Sequence, residues 1–245
     1  MAPDKFRGTA TARQACSALA ASLRSIGHDV VEVPLADGGE GTLDALGGAN
    51  RTTMVSNPLG DPIEADWRLA GRTAVIEMAR ASGLQVVGGA DENDPVAAST
   101  YGTGELIAAA LDAGANDIVV AVGGSATTDG GLGALRALYP VHRLRGVELA
   151  VACDVGTRFT DAARIFAPQK GATPAQVELL ERRLVRLVQV YADEYGVDVS
   201  ELDHAGAAGG LAGGLACVGA QLDSGSSSSP TAWTSTSRST APTSS

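Results

Sequence analysis

The feature that most constrains the fold is a strongly apolar segment followed at once by a glycine-rich one. Residues 117–122 read DIVVAV, which is typical of a strand buried within a sheet. Residues 123–131 read GGSATTDGG, whose glycines let the chain turn and let other groups approach the backbone. A helix is predicted to begin in the next segment, GGLGALRAL, at residues 130–138. A strand, a glycine-rich loop and a helix in this order indicate an α/β fold, and ligands of such sheets usually bind at the carboxyl ends of the strands.

The same alternation of strand-like and helix-like segments continues along most of the chain. Period-two patterns broken by Asn-Pro and Gly-Asp-Pro turns predict antiparallel strands in residues 51–78. Further strands are predicted in residues 28–35 and 146–155, and helices in residues 10–27, 103–115, 173–196 and, despite its glycines, 206–220. Strands that alternate with helices indicate crossover connections between parallel strands.

The charge and the cysteines argue against several classes of function. The chain carries a net charge of -10 and has only two lysines, Lys5 and Lys170, so general binding to nucleic acid or to an anionic membrane is not expected. Its three cysteines are far apart, which indicates neither a disulfide framework nor a zinc site. The sequence shows no leader and no apolar run long enough for a membrane span, so we predict a cytoplasmic, soluble protein.

The loop ADGGEG, residues 36–41, places two carboxylates between a predicted strand and a predicted helix. Asp37 and Glu40 flank Gly38 and Gly39 at the carboxyl end of the strand. Two such carboxylates can hold Mg²⁺ or accept a proton from a hydroxyl group. The alternative is an ordinary turn in which the aspartate caps the following helix.

The loop GGSATTDGG has the same placement and predicts an anion site. Gly123 and Gly124 allow a phosphate to approach the backbone. Ser125, Thr127 and Thr128 offer hydroxyl groups near the start of a helix. Asp129 can cap that helix, bind Mg²⁺ or act as a base. The spacing matches neither the P-loop nor the GxGxxG dinucleotide fingerprint, which argues against a nucleotide-binding oxidoreductase.

Two further loops carry residue types that suit phosphate chemistry. In STYGTGELI, residues 99–107, Thr103 is predicted to be the N-cap of a helix. In IFAPQKGAT, residues 165–173, Lys170 lies on a loop bounded by proline and glycine. Its amine either contacts a phosphate or is an ordinary solvated surface charge.

Taken together, these segments resemble the type-1 glycerate kinase family, bacterial enzymes that phosphorylate glycerate with ATP. The resemblance covers roughly residues 2–223 and rests on the ordered segments APDKFRG, ADGGEGT, NPLGDPIEADW, IEMARASGL, STYGTGELI, GGSATTDGGLGAL, ACDV, FAPQKGAT and GAAGGLAGGL. It implies a two-domain α/β architecture, a flavodoxin-like domain into which a second α/β domain is inserted. On that basis we expect the first domain to begin in residues 1–55 and the inserted domain with its glycine-rich loops to occupy residues 56–224.

The resemblance implies an ATP- and Mg²⁺-dependent glycerate kinase, and the loop residues are assigned to it as follows. The expected catalytic residues are Asp37, Asp129 and Lys170; the expected ATP-binding residues are Gly38, Gly39, Gly123, Gly124, Ser125, Thr127 and Thr103; the expected glycerate-binding residues are Lys5, Arg7 and Glu40; and the expected Mg²⁺ ligands are Asp37, Glu40 and Asp129.

Both ends of the chain depart from the family pattern. The strand that normally leads into APD is missing, and the C-terminal glycine loop of the family is replaced by a Ser/Thr-rich tail, residues 225–245, which we predict to be disordered because it offers little apolar surface to bury. The tail is either a natural flexible segment or an out-of-frame one. The alternative to an active kinase is therefore an incomplete, poorly folded and non-catalytic remnant.

Overall fold

The computed structural model describes residues 12–28 and 41–224 of the chain. The predictions for residues 29–35, for the loop residues 37–40 and for the tail 225–245 lie outside the described residues. Within them, no helix is both long enough and apolar enough to cross a membrane.

In the described part of the chain, a mixed sheet of six strands organises the structure, with the strands side by side in chain order. The strands are β1 (Arg51–Ser56), β2 (Pro62–Ala70), β3 (Thr73–Glu77), β4 (Asp117–Ala121), β5 (Glu148–Cys153) and β6 (Gln221–Ser224). The first three pair antiparallel, whereas β3 to β6 pair in parallel. The antiparallel strands predicted in residues 51–78 and the buried strand predicted in residues 117–122 are thereby confirmed.

Local chemistry explains how β1 turns into β2. The side-chain oxygen of Asn57 accepts hydrogen bonds from the amides of Leu59 and Asp61, at 2.8 and 2.9 Å. Asparagine favours such turns because its side chain can replace a backbone acceptor. Farther along the pair, the indole Nε1 of Trp67 donates to Thr53 Oγ1 at 2.9 Å, so the one polar atom of this buried ring is satisfied.

The pairing of β1 bears on the domain boundary. Strand β1 pairs with β2 along its whole length, so we propose that the boundary lies before Arg51 rather than after residue 55.

The helices of the described residues lie before and between these strands. They are α1 (Ala12–Ser25), α2 (Thr42–Ala45), α3 (Ala79–Ser82), α4 (Tyr101–Asp112), α5 (Leu132–Ala137), α6 (Ala162–Phe166), α7 (Pro174–Tyr195) and α8 (Leu211–Ala216). Short 3₁₀ turns occur at Gln85–Val87, Val141–Leu144, Pro168–Lys170 and Ala207–Gly210.

The longest helix, α7, has clear start and stop signals. Thr173 and Gln176 form a capping box at its first turn, Pro174 is the first helical residue, and Gly196 ends it in the left-handed conformation. Its buried face carries Leu180, Leu184 and Tyr191. The predicted helix in residues 173–196 is therefore confirmed to within a residue or two at each end.

Two apolar clusters form the core. One lies between the sheet and helices α4, α5 and α8, and includes Ile76, Leu106 and Val120. The other lies beneath α7, where the Phe159 and Tyr191 rings meet edge to face with centroids 6.0 Å apart. The predicted helix in residues 206–220 is confirmed only in part, because the left-handed residues Ala208, Gly209 and Gly210 delay the start of α8 to Leu211.

Candidate functional site

The carboxyl ends of β3 and β4 open into two loops that are bonded to each other. The amide of Leu84, after β3, donates to Gly124 O at 2.9 Å, and the amide of Ala126, after β4, donates to Ser82 O at 3.0 Å. From the other side, the amide of Gly130 donates to Gly209 O at 3.0 Å. The loop at residues 123–131 is therefore held on both flanks by backbone hydrogen bonds, which fixes the position of Asp129.

The Asp129 carboxylate links this loop to the starts of two helices. Its Oδ2 atom accepts hydrogen bonds from the amide and hydroxyl of Thr100, both at 2.9 Å, and from the amide of Gly133 at 3.1 Å. Its Oδ1 atom accepts one bond, from the amide of Gly131 at 3.1 Å. Asp129 is not the N-cap residue of α5, which is Gly131, but its carboxylate accepts a hydrogen bond from the amide of Gly133 in the first turn of that helix. With a longer bond from Ser99 Oγ at 3.5 Å, Oδ2 accepts four hydrogen bonds, so Oδ1 is the oxygen with capacity for a further proton or a metal ion.

A cavity of about 430 Å³ lies between this loop and helix α7. Thr128 and Asp129 line it on the loop side. Its remaining lining residues are apolar or basic: Val96, Ala98, Leu132, Leu179, Leu187, Arg182, Arg183 and Arg186. The lining of the cavity is thus mainly apolar and includes one acidic residue and three arginines, whose side chains are exposed.

The arginines of this cavity were not identified from the sequence. Arg183 donates to the carbonyl of Val96 at 2.7 Å, and Arg186 donates to Gln189 Oε1 at 2.9 Å. Within residues 12–28 and 41–224, none of the three forms an ion pair with a carboxylate. One signal was present in the sequence: Arg182 and Arg186 are four residues apart on a helix, where like charges repel unless an anion lies between them.

Lys170 lies in the interior, not on an exposed loop as the sequence suggested. Its side chain is 1% exposed, because the 3₁₀ turn Pro168–Lys170 folds it beneath the loop at residues 123–131. The amine donates to the carbonyl of Thr127. Burial lowers the pKa of Lys170 to about 7, and the nearby Asp129 carboxylate opposes that shift. The buried amine is therefore not exposed for contact with a phosphate. Its bond to Thr127 O instead holds the loop at residues 123–131 in place.

Replacing Lys170 with Met is expected to remove a pH dependence of stability. Between pH about 7 and the ordinary lysine value near 10.4, the unfolded chain holds a proton that the folded chain has released, so stability rises with pH by about 1.4 kcal/mol per pH unit. Below pH about 7 both states are protonated and the contribution is constant. Urea unfolding of the two proteins from pH 6 to 9 measures the difference. The raised pKa values of Cys153 and Cys217 are common to both proteins and cancel. If the free energy of unfolding varied with pH in the same way in the wild type and in Lys170→Met, the lowered pKa of Lys170 would be refuted.

Three buried polar atoms near this loop have no hydrogen-bond partner among the described residues. They are Thr127 Oγ1, Thr128 Oγ1 and Asn93 Oδ1. The amide nitrogen of Asn93 donates to the carbonyls of Ala126 and Lys170, at 3.1 and 2.8 Å, and so joins the two segments. Unpaired buried polar atoms are rare in folded proteins, and of these three residues Thr128 also lines the cavity.

The remaining residues predicted for ATP binding are distributed differently. Gly124 is exposed, and Gly123 and Ser125 are half-buried, so they lie at the more open end of the loop. Thr103 is buried inside α4, where its hydroxyl donates to Ser82 Oγ at 2.8 Å. Its prediction as the N-cap is wrong: α4 begins at Tyr101 with Thr100 before it, because Thr100 bonds to Asp129.

The predicted site residues Asp37, Gly38, Gly39, Glu40, Lys5 and Arg7 lie outside the described residues. Gly41, the last residue of the loop at residues 36–41, is described. The amides of Gly41 and Leu43 donate to Glu77 Oε1 at 2.9 and 2.8 Å, and the Arg80 Nε pairs with Glu77 Oε2 at 3.1 Å. Glu77, the last residue of β3, was missed by the sequence reasoning although it lies in the quoted segment IEMARASGL. It fixes the end of the 36–41 loop to the sheet edge from which the Asp129 loop also emerges.

Residues 12–28 and 41–224 hold no group of three or more His, Cys, Asp or Glu side chains placed to bind a metal ion. Mg²⁺ does not require such a group, since it is commonly bound through one or two carboxylates together with water and substrate phosphates. The free capacity of Asp129 Oδ1 and the unpaired Thr128 hydroxyl fit that kind of ligand set.

Comparison with known proteins finds one family along nearly the whole chain. The model of the glycerate kinase family matches residues 1–141 and 139–234. Glycerate 2-kinase of Escherichia coli K12 is 38% identical over an alignment of 265 positions, gaps included, which covers 92% of this chain and 69% of that protein. Glycerate kinase of Halalkalibacterium halodurans is 38% identical over an alignment of 254 positions, gaps included, which covers 88% of this chain and 67% of that protein.

A solved structure shares the fold. It is a crystal structure from Salmonella typhimurium LT2 with the provisional name glycerate kinase 2, and it aligns with a TM-score of 0.85 at 37% identity. The alignment covers 95% of this chain and 73% of that chain. The mixed α/β sheet described above is thus the architecture found in that protein.

Proposed function

Because the chain belongs to the glycerate kinase family, we propose that it transfers the γ-phosphoryl group of ATP to a hydroxyl group of glycerate, giving phosphoglycerate and ADP. The reaction places it where ATP is available, in the cytoplasm. The observation that supports this most directly is a fixed carboxylate, Asp129, at a cavity whose lining residues include three arginines without carboxylate partners among the described residues.

Phosphoryl transfer depends on positioning and on charge neutralisation rather than on covalent chemistry by the protein. The hydrogen bonds from Thr100, Gly131 and Gly133 hold the Asp129 carboxylate in one orientation, so the carboxylate need not reorient when the substrates bind. From there, Oδ1 accepts the proton of the attacking glycerate hydroxyl or takes part in holding Mg²⁺. When bound, Mg²⁺ neutralises phosphate charge.

Lys170 acts in this proposal as a positioning residue. Its amine donates to Thr127 O, two residues before Asp129, so it holds the loop and does not touch the substrates. Gly123, Gly124 and Ser125, at the open end of the same loop, remain the proposed contacts for phosphate.

The resemblance to the family supplies the rest of the proposed site. Asp37 and Glu40 would provide further carboxylates for Mg²⁺, with Gly38 and Gly39 beside them, and Lys5 and Arg7 would bind the glycerate carboxylate. The hydrogen bonds from Gly41 and Leu43 to Glu77 support a position for the 36–41 loop at the same edge of the sheet as Asp129.

A coupled assay of ADP formation tests the proposal. We expect ATP consumption that depends on glycerate. Lactate, which keeps only the 2-hydroxyl, and 3-hydroxypropionate, which keeps only the 3-hydroxyl, then show which hydroxyl is used. A folded, monodisperse preparation that consumes no ATP with glycerate would overturn the proposal and favour a non-catalytic protein.

A further inference from the structure

We propose that the cavity between α7 and the Asp129 loop binds the nucleoside part of the phosphoryl donor, with the α7 arginines on its phosphates. The inference rests on the proposed function only in taking ATP as the donor. It assigns the nucleotide to the face of α7 formed by Leu179, Arg182, Arg183, Arg186 and Leu187.

The size and walls of the cavity favour a nucleoside over glycerate. A volume of about 430 Å³ lies within the range of about 300–1,000 Å³ for pockets that enclose a ligand as large as a nucleotide. Val96, Ala98, Leu132, Leu179 and Leu187 form its apolar surface. Every carbon of glycerate carries an oxygen, so this small acid would leave such walls uncovered, whereas the flat face of a base would bury them.

The charges of the cavity favour an anionic group beside that apolar part. In a chain of net charge -10, three arginines cluster at one cavity without a carboxylate partner in residues 12–28 and 41–224. Each guanidinium has five N–H donors, so the single bonds of Arg183 and Arg186 leave most of their donors available. Guanidinium groups bind phosphate through paired, charge-assisted hydrogen bonds.

The loop side of the cavity continues the same arrangement. Thr128 is 1% exposed, lines the cavity and has no hydrogen-bond partner for its Oγ1 atom among the described residues. Asp129 lies next to it on the same wall. Phosphates that extend from the α7 arginines towards this wall would bring the terminal phosphoryl group to the carboxylate proposed to act on glycerate.

Binding of ADP and of adenosine, measured by calorimetry, tests the site without turnover. We expect Arg182→Gln to raise the Kd for ADP by about 10-fold or more and to leave the Kd for adenosine unchanged, because adenosine has no phosphate. Arg143→Gln is the matched control: it removes the same charge at a guanidinium paired with Asp112, outside the cavity, and should leave both constants unchanged.

A second variant tests the apolar part. Leu179→Trp fills the cavity while retaining its arginines, and we expect it to abolish binding of both ADP and adenosine with little change in Tm. If Arg182→Gln and Leu179→Trp both bind ADP as the wild type does, or if the wild type does not bind ADP, the inference is wrong. Competition between glycerate and ADP would likewise overturn it, since the cavity would then hold glycerate.

The results separate this site from the proposed function. If the binding constants change as expected but no glycerate-dependent turnover occurs, the nucleotide site is supported and the proposed kinase activity is rejected. Turnover with glycerate together with ADP binding that no cavity variant alters keeps the activity and rejects the site.

Discussion

Replacing Asp129 with Asn is expected to lower glycerate-dependent ATP turnover by about 10²–10⁴-fold, the usual contribution of a positioned acid–base group. Asparagine has nearly the same shape but has one acceptor oxygen in place of two. It therefore cannot both accept the bonds from Thr100 and Gly133 and retain a free anionic oxygen at the cavity. Initial rates at saturating ATP and glycerate measure the effect.

The control for Asp129→Asn is Asp198→Asn. Asp198 also accepts bonds from a nearby amide and hydroxyl, those of Ser200, but it is exposed and does not line the cavity. We expect that variant to keep wild-type turnover. A titration of Mg²⁺ then distinguishes the two roles of Asp129, because loss of a metal ligand raises the Mg²⁺ concentration needed for residual activity whereas loss of a base does not. Wild-type turnover in Asp129→Asn would contradict both roles.

The second large effect is expected from Gly209→Ala, which should destabilise the fold by about 3 kcal/mol or more. A Cβ atom at this position would lie 2.0 Å from Thr127 O and 2.7 Å from Thr128 Cα, both backbone atoms that cannot rotate away. The φ angle of Gly209 is +67°, which adds the strain of a left-handed alanine. Because the contact falls on the loop at residues 123–131, activity should fall even where the protein remains folded.

Gly146→Ala separates these two causes. Gly146 has a φ of +76°, similar to that of Gly209, but a Cβ atom there meets nothing within 4 Å. We expect a loss of only about 1–2 kcal/mol from backbone strain alone. Urea unfolding of both variants measures the difference. Equal losses would mean that the close approach of the two loops contributes nothing.

The sequence predicted the elements whose signals are local. Strand β4 is recognisable from its β-branched run, and α7 from its periodicity with Thr173, Pro174 and Gly196 at its ends. The prediction that Asp129 lies at the start of the next helix was close, since its carboxylate bonds to the amides of Gly131 and Gly133 although Gly131 is the N-cap residue.

What the sequence did not predict depends on contacts between distant segments. Thr103 looked like a cap because no local pattern shows that Thr100 bonds to Asp129, 29 residues away. Lys170 looked exposed because its acceptor, Thr127 O, lies 43 residues earlier in the chain. The arginines of α7 line a common cavity only because the helix packs beside the Asp129 loop, a contact that no local pattern predicts.

Two hydrogen bonds attach helix α7 to its surroundings, one within the cavity wall and one beyond the C-terminal end of that wall. Arg183 donates to Val96 O, and Tyr191 OH donates to Gly130 O at 2.9 Å, eight residues farther along the helix. Two attachments roughly 12 Å apart oppose a pivoting of the helix. The helix that forms the cavity wall is therefore ordered before a ligand binds. Binding then does not pay the entropy cost of ordering a mobile helix, so a larger part of the contact energy contributes to affinity.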